Sequence, residues 1–358
     1  MAAHFHLLKI KKVILETAES VSIIFEIPEK IAPEFLYTEG QNITLKAVVN
    51  GEEIRRSYSL CTAPYENEIK VAVKLAFAGK FSTFAQTLKA GDVLEVLPPV
   101  GKFNARLKKG FGNYLAIAAG SGITPVLSII KHTIKQQPES SFTLIYGNKS
   151  RGSIMFFEEL ESLKNKFMGR FNLIHILSRE KTEVPLNYGR INPAKLAELQ
   201  PMIDFSKFDS VYICGPEDMI FSTVEFLEKN RLERSKLHFE LFTTPGQKQN
   251  LNTLPDANIQ DETKPKSNIT VKVDGRSFSF DLSTKGKSIL AAALAQGADL
   301  PFACKGGVCS TCKAKLVSGN VKMDVNYALE PDEVEQGFIL TCQSHPITEN
   351  VVVDYDVK

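Results

Sequence analysis

The sequence predicts a multidomain protein in which an antiparallel β domain, a doubly wound α/β domain and a small α+β domain follow one another. Three observations carry this. Apolar residues alternate with period two through the first hundred or so positions. Continuous apolar runs separated by helical patterns come next, and then a polar stretch without aromatic residues precedes a hairpin and a short helix. With 358 residues, the chain has room for two or three domains at about 100–200 residues each.

Residues 1–108 read as β. Val21, Ile23, Phe25 and Ile27 alternate with other residues, as do Ile43, Leu45 and Ala47, and Val71, Val73, Leu75 and Phe77. Gly, Pro and Asn turns between them suggest an antiparallel barrel or sandwich. One helix is predicted at "STFAQTL", with Ser82 as its N-cap. Over 109–245 the runs "NYLAIAAG", "SFTLIYG", "FNLIHILS" and "DSVYICG" suit strands covered on both faces. Helical faces lie between them, with Phe156, Leu160, Leu163 and Phe167 on one and Ile220, Val224 and Leu227 on another. Strands alternating with helices indicate a parallel, doubly wound sheet.

Residues 246–268 are rich in Asn, Gln, Lys and Pro and read as a linker. As a flexible coil these residues would span roughly 25 Å. In 269–358, Ile269, Val271 and Val273 lead into an Asp274-Gly275 turn, and Phe278, Phe280 and Leu282 lead out. The helix "KSILAAALAQG" ends at Gly297, a suitable residue just past a helix C-terminus.

Bulk composition excludes several classes. Lys plus Arg number 43 against 41 Asp plus Glu, so no broad basic surface for nucleic acid is expected. No run of 18 apolar residues exists and the first residues do not read as a signal segment, so no membrane partner is expected. Six cysteines in such a chain point to a reducing compartment, the cytoplasm. The six histidines, His4, His6, His132, His175, His238 and His345, show no clustering with carboxylates or with a Ser or Cys nucleophile, so a hydrolase is not expected.

The cysteines carry the sharpest signal. Cys304, Cys309 and Cys312 lie within "CKGGVCSTC", and Cys342 follows 30 positions later. Zinc sites more often show two close pairs, and disulfides do not suit the compartment. The spacing matches a plant-type [2Fe–2S] cluster, which needs four thiolates on a tight wrap of chain. Gly306 and Gly307 are expected to let that wrap turn closely and to aim N–H groups at the sulfurs. The segment "LPFACKGGVCSTCKAKLVSG" resembles the ferredoxin signature, which implies a β-grasp-like domain.

An electron carrier needs a source. The turn "AAGSGITP" between a strand and a helix places Gly120 and Gly122 where a phosphate could approach the backbone, with Thr124 beside them and Pro125 at the first helical position. Together with "RRSYSL", "GKFSTF" and "CGPEDM", this order of motifs resembles the ferredoxin–NADP reductase superfamily across nearly the whole chain. The resemblance implies that the first domain is an FAD-binding β-barrel. Arg56, Ser57, Tyr58 and Ser59 would hold the flavin, with Tyr58 against the isoalloxazine and Arg56 on the pyrophosphate. Val73 and Lys74 fall at another flavin-contacting position. Gly79, Phe81, Ser82 and Thr83 would bring a helix N-terminus to the pyrophosphate, favouring FAD over FMN.

In the nucleotide domain the resemblance places Cys214, Gly215 and Pro216 near the nicotinamide, although Cys214 in a buried strand equally fits plain core. Ser178 and Arg179 would grip the 2′-phosphate of NADPH, with NADH as the alternative. Glu240 and Phe242 are candidates for the flavin edge by position. The stretches "YLAIAAGSGITP", "FTLIYGNKS", "ICGP" and "LFTTPG" are similar to the reductase components of phenylacetyl-CoA 1,2-epoxidases, and steroid 9α-hydroxylase reductases share the same domain order. The implied function is NAD(P)H-dependent electron transfer: a hydride to FAD, then single electrons through the [2Fe–2S] cluster to an oxygenase component. A reductase for another oxygenase, ring-hydroxylating for example, and a redox carrier or sensor with little turnover are the other readings.

Overall fold

The computed structural model describes residues 3–243 and 266–357. They fall into two compact units, one of His6–Pro99 and Phe103–Leu241, the other of Met1–Phe5, Val100–Lys102 and Phe242–Lys358. Most of the segment expected as a linker lies outside the described residues. Its last three positions do not belong to it: Lys266, Ser267 and Asn268 already pair in a strand, opposite Ser283, Leu282 and Asp281. Their polar side chains hide a backbone that is fully committed to a ladder.

In the first unit, β1 (His6–Thr17), β2 (Ser20–Glu26), β3 (Asn42–Val49), β4 (Glu52–Ser59), β5 (Ile69–Lys74) and β6 (Val93–Val100) form one sheet in the order β4-β3-β6-β1-β2-β5. Leu60, just past β4, bridges Val71 of β5, and Cys61 N–H donates to Lys70 O at 3.0 Å. The two edges therefore meet and the sheet closes as a barrel, which leaves few unpaired strand edges. Ile23, Ile43, Leu45, Val71 and Val73 fill its interior, as their alternation requires.

Leu75 and Phe77 do not continue that pattern. The strand stops at Lys74, Leu75 N–H turns to Glu19 O, and Phe77 is 88% exposed. The next helix, α1 (Lys80–Ala85), starts earlier than expected, with Gly79 as its N-cap. Ser82 therefore lies inside the first turn. Its Oγ accepts from Ala76 N–H at 3.1 Å and donates to Gly79 O at 3.0 Å, closing the turn that leads into the helix.

Five parallel strands follow: β7 (Asn113–Ala119), β8 (Ser141–Asn148), β9 (Phe171–Leu177), β10 (Ser210–Cys214) and β11 (Leu237–Glu240). Their order is β11-β10-β7-β8-β9, with α2 (Ile123–Gln136), α3 (Phe157–Lys166), α4 (Pro193–Leu199) and α5 (Glu217–Lys229) between them. The chain builds outward from β7 through β8 to β9, then crosses to β10 on the other side. That reversal opens a crevice beyond the carboxyl ends of β7 and β10, where such sheets bind ligands. Strand β11 was not expected, because its few residues are too short to show a period.

The barrel and the α/β sheet are one unit because buried charge and hydrogen bonds join them. Lys131 of α2 is 4% exposed, with Nζ 2.6 Å from Glu66 of the barrel and 2.7 Å from Glu159 of α3. Ser128 Oγ donates to Thr62 O at 2.5 Å and accepts from Gly40 N–H at 3.3 Å. Ala72 and Cys61 of the barrel belong to the same apolar cluster as Tyr114, Ile130 and Phe142.

In the second unit β12 (Lys266–Val273) and β13 (Arg276–Ser283) form the expected hairpin, with Asp274 (φ 52°) and Gly275 (φ 69°) both left-handed, as a two-residue type I′ turn needs. Helix α6 (Ile289–Ala295) is capped by Ser288, whose Oγ accepts from Ala291 N–H, and Gly297 (φ 83°) follows its end. With β14 (Lys313–Ser318), β16 (Phe338–Leu340) and β18 (Asn350–Asp354), the sheet runs β13-β12-β18-β14-β16. β12 and β18 are parallel and the other pairs antiparallel. Ile289, Leu290 and Ala293 of α6 pack in its core, the expected β-grasp-like arrangement. The short β15 (Val321–Met323) and β17 (Ser344–Pro346) pair separately, and α7 (Pro331–Glu335) precedes β16.

The histidines correct one expectation. His4, His6, His132, His175 and His345 each lie within 3.5 Å of one carboxylate, supplied by Asp274, Glu34, Glu39, Glu161 and Asp324 in turn. All five partners are distant in sequence, so spacing could not show them. His238 differs: its ring stacks on Tyr212 with centroids 5.5 Å apart. Burial, with Arg106 and Arg234 nearby, pushes its imidazole down to about 4.

Two stability predictions follow from this packing. Lys131→Ala removes the buried cation that the part-exposed Glu66 and Glu159 share and should destabilise the first unit by about 1.5–3 kcal/mol, read from denaturant unfolding. His238 stays neutral in the fold while the unfolded chain protonates it near 6.5. Its contribution is therefore complete above that pH and is lost as pH falls toward about 4. His238→Gln should flatten the stability–pH curve in that window; an unchanged slope would remove His238 as its source.

Candidate cofactor sites

The residues of the sequence motifs lie in three groups. The first lies on the barrel at the end of β4. Ser57 Oγ is 3.2 Å from Thr44 Oγ1, and the exposed Arg56 donates from Nη1 to Arg55 O at 2.8 Å. The Tyr58 ring lies 5.5 Å from Phe81. Burial raises the Tyr58 phenol well above its ordinary range, with Arg56 pulling it back. Phe81 itself is buried in the barrel core, so it backs Tyr58 rather than facing a ligand. Val73 and Lys74 end β5, the valine buried and the lysine half-buried.

Gly79 admits no side chain, since a Cβ there would come 2.4 Å from Ser82 Oγ and 3.0 Å from Ala76 Cβ. Helix α1 has only six residues, so its dipole is modest. Ser59 Oγ donates to Glu240 Oε2 at 3.1 Å, joining the end of β4 to the end of β11. Opposite Ser59 in the β3–β4 ladder, Asn42 holds a buried Oδ1 with no hydrogen-bond partner. An orphaned acceptor on the strand pair that also carries Tyr58 and the exposed Arg56 fits a bound flavin nucleotide.

The second group surrounds the crevice of the parallel sheet. Gly120 is left-handed (φ 55°), and a Cβ on Gly122 would meet Cys214 O at 2.1 Å. The β7 turn thus lies directly on the end of β10. Gly215 is less tight, with its would-be Cβ 2.6 Å from Met219 Cε and 3.2 Å from Ala119 N. Helix α2 begins at Ile123, so Pro125 occupies its third position rather than its first. That is still among the turns whose N–H groups have no partner within the helix. Thr124 Oγ1 donates to Ser121 O at 3.0 Å, and Pro216 is the N-cap of α5.

Ser178 donates from both N–H and Oγ to Asn148 O, at 2.9 and 3.2 Å, and Arg179 N–H donates to Lys149 O at 2.8 Å. The Arg179 side chain is exposed at the end of β9. Cys214 is fully buried within the apolar cluster. Burial, with Glu240 nearby, holds its thiol well above the usual range, which fits its place in the core. Phe242 belongs to the second unit, where it is 41% exposed.

The third group is the cysteine loop. Lys305 (φ 53°), Gly307 (φ 76°) and Ser310 (φ 57°) are the left-handed residues of the wrap. Gly306 is not among them; its N–H donates to Cys304 Sγ at 3.3 Å. Gly307 packs so closely on Val325 that a Cβ would come 3.0 Å from Val325 Cγ2. Cys342 is carried to the loop by Thr341, whose Oγ1 donates to Cys312 O at 2.9 Å and lies 2.6 Å from the Tyr355 hydroxyl.

The thiols are mutual neighbours. The Cys304 thiol and burial push Cys309 well above the usual thiol range. Cys304 draws Cys342 down, but Cys312 and burial raise it to about 12. Among the described residues no three Cys, His, Asp or Glu side chains converge as around a single ion. Cys304 neighbours both Cys309 and Cys342, and Cys342 also neighbours Cys312, so the four sulfurs form one group that fits the four-thiolate set of a [2Fe–2S] cluster. Binding would release the thiol protons.

Sequence and structure comparisons agree with this division. Residues 8–105 match the model of an oxidoreductase FAD-binding domain, residues 116–225 an oxidoreductase NAD-binding domain, and residues 271–346 a 2Fe-2S iron–sulfur cluster binding domain. A component of the 1,2-phenylacetyl-CoA epoxidase of Escherichia coli K12 is 44% identical over 99% of this chain and 98% of its own length. The ferredoxin reductase component of a 3-ketosteroid-9-alpha-monooxygenase from Mycobacterium tuberculosis is 31% identical over 98% of this chain and 95% of its own. Phthalate dioxygenase reductase, a modular structure for electron transfer from pyridine nucleotides to [2Fe–2S], superposes with a TM-score of 0.57 at 25% identity, covering 98% of both chains. The chain belongs to this family of modular reductases, NAD(P)H-dependent oxidoreductases that use FAD, a pyridine nucleotide and a [2Fe–2S] cluster within one polypeptide to supply electrons to an oxygenase component.

Proposed function

We propose that this protein serves a phenylacetyl-CoA epoxidase-type oxygenase and draws its electrons from NADPH. The carrying observation is the end-to-end likeness, 44% over 99% of the chain, to the epoxidase component. When bound, FAD supplies two-electron acceptance from the nucleotide and the cluster supplies one-electron transfer. Arg56, Ser57, Tyr58 and Ser59 hold the flavin, with Val73, Lys74 and the turn Gly79–Thr83 completing its cradle. The Ser59 hydroxyl keeps its proton directed at Glu240, which fixes both side chains at the crevice floor. Gly120, Gly122, Thr124 and Pro125 leave the backbone open to the nucleotide. Cys214, Gly215 and Pro216 form the wall against which its reactive end rests. Cys304, Cys309, Cys312 and Cys342 ligate the cluster.

The preference for NADPH rests on Arg179, exposed beside Ser178 at the end of β9 and able to make a bidentate contact with a 2′-phosphate. A cytoplasmic location is supported by six cysteines that form no disulfide. No helix among the described residues is long and apolar enough to cross a membrane. A steroid hydroxylase partner is the second reading, since that reductase matches over nearly its full length.

Mixing the protein with the phenylacetyl-CoA oxygenase component, NADPH and phenylacetyl-CoA should yield epoxide in proportion to NADPH consumed. Cluster reduction without epoxide would keep the reductase and reject this partner. Arg179→Ala should raise the KM for NADPH about tenfold or more and leave that for NADH nearly unchanged; equal effects would remove the phosphate assignment. Cys309→Ala should abolish the visible absorption of the cluster while the flavin spectrum persists, and retention of both would exclude that ligand.

A further inference from the structure

Gln343 directly follows Cys342, and its side chain folds back over the cysteine loop. Its Nε2 donates to Lys305 O at 2.9 Å and lies 3.2 Å from Cys342 O. The same nitrogen is 3.8 Å from Cys342 Sγ. Both oxygens are carbonyls, which only accept, so the end of the amide that faces them is its NH2 group. Two hydrogens thus meet three acceptors. One N–H serves Lys305 O, which leaves the other for the carbonyl and the sulfur of Cys342.

The amide is held firmly in that position. The Gln343 backbone N–H donates to Leu340 O at 2.9 Å, and its carbonyl accepts from Asp324 N–H at 2.9 Å. The stem passes beside Gly307, where an added Cβ would come 3.2 Å from Gln343 Cγ. At the far end Lys305 is left-handed (φ 53°) without being glycine. The amide on its carbonyl, and its Nζ placed 4.5 Å from the centroid of the Phe302 ring, both oppose relaxation of that backbone. Elsewhere in the loop the backbone supplies the donors, as Gly306 N–H does to Cys304 Sγ at 3.3 Å. Gln343 adds a side-chain donor at a different sulfur.

We propose that Gln343 is a positioning residue of the iron–sulfur site, whose carboxamide braces the loop at Lys305 and directs an N–H at Cys342 Sγ, raising the reduction potential of the cluster. This role rests on the reading of the four cysteines as cluster ligands. A thiol sulfur is a weak acceptor, whereas a ligating thiolate is anionic and draws an N–H more strongly. One electron from the reduced flavin adds one negative charge, which the ligand sulfurs share. A donor fixed at Cys342 stabilises that form more than the oxidised one, because its pull grows with the charge it faces. Gln343 thereby makes the transfer from flavin to cluster more favourable.

The test is a spectroelectrochemical titration of the FAD- and cluster-loaded protein carrying Gln343→Met, which keeps the length of the side chain and removes its donor. The equilibrium constant for cluster reduction should fall by about three- to tenfold, which is about 30–60 mV for one electron. The paramagnetic resonance signals of the reduced cluster should shift with it. Gln343→Asn keeps the amide but draws it back by one methylene; it should move the potential the same way and serves if the methionine variant does not hold the cluster. An unmoved or raised potential, with faster loss of the cluster to a chelator, would make Gln343 a brace alone and overturn the proposal. An unmoved potential with unchanged loss overturns it as well. Full cluster absorption in Cys342→Ala would remove the ligand assignment and the proposal together.

Discussion

The approach of the β7 turn to the end of β10, with Gly122 against the carbonyl of Cys214, is the constraint on which the first unit depends. No side chain fits between them. That contact places the Gly120 turn over the switch point of the sheet. The parallel pairing of β10 with β11 sets Glu240 beside Cys214, and Glu240 accepts from Ser59 across the barrel boundary. The crevice is thus formed by backbone proximity first and by side-chain chemistry second.

Around that crevice the protein uses charge in two ways. Lys131 is buried and holds the part-exposed Glu66 and Glu159 at short range, so both carboxylates lose a close partner if it is removed. Lys149 and Glu19 are long and wet, so their pairing is easily exchanged. The contrast separates a fastener from an exposed surface contact. Burial, not the identity of the charges, makes the difference.

The cysteine loop is self-contained by comparison. Its left-handed residues, its N–H directed at Cys304 and the link from Thr341 to Cys312 and Tyr355 all lie within the second unit. Two of those three left-handed positions are Lys305 and Ser310 rather than glycine. Such conformations are tolerated where surrounding contacts over-determine the backbone.

What the sequence by itself determined is local. Period-two alternation, the Asp274-Gly275 turn, Gly297 past the end of the short helix and the spacing of four cysteines each depend on neighbours within a few residues or on one sulfur chemistry, and each is legible without coordinates. The tertiary structure alone decided what depends on distant partners. It closed the barrel through Leu60 and Val71, added the short β11, moved Phe81 into the core and shifted the start of α1 so that Ser82 closes a turn. It also joined Ser59 to Glu240 and Glu19 to Lys149, pairs separated by more than a hundred residues. Periodicity reports which face of an element is apolar; it carries no information about which distant element will cover that face, and the crevice is made entirely of such encounters.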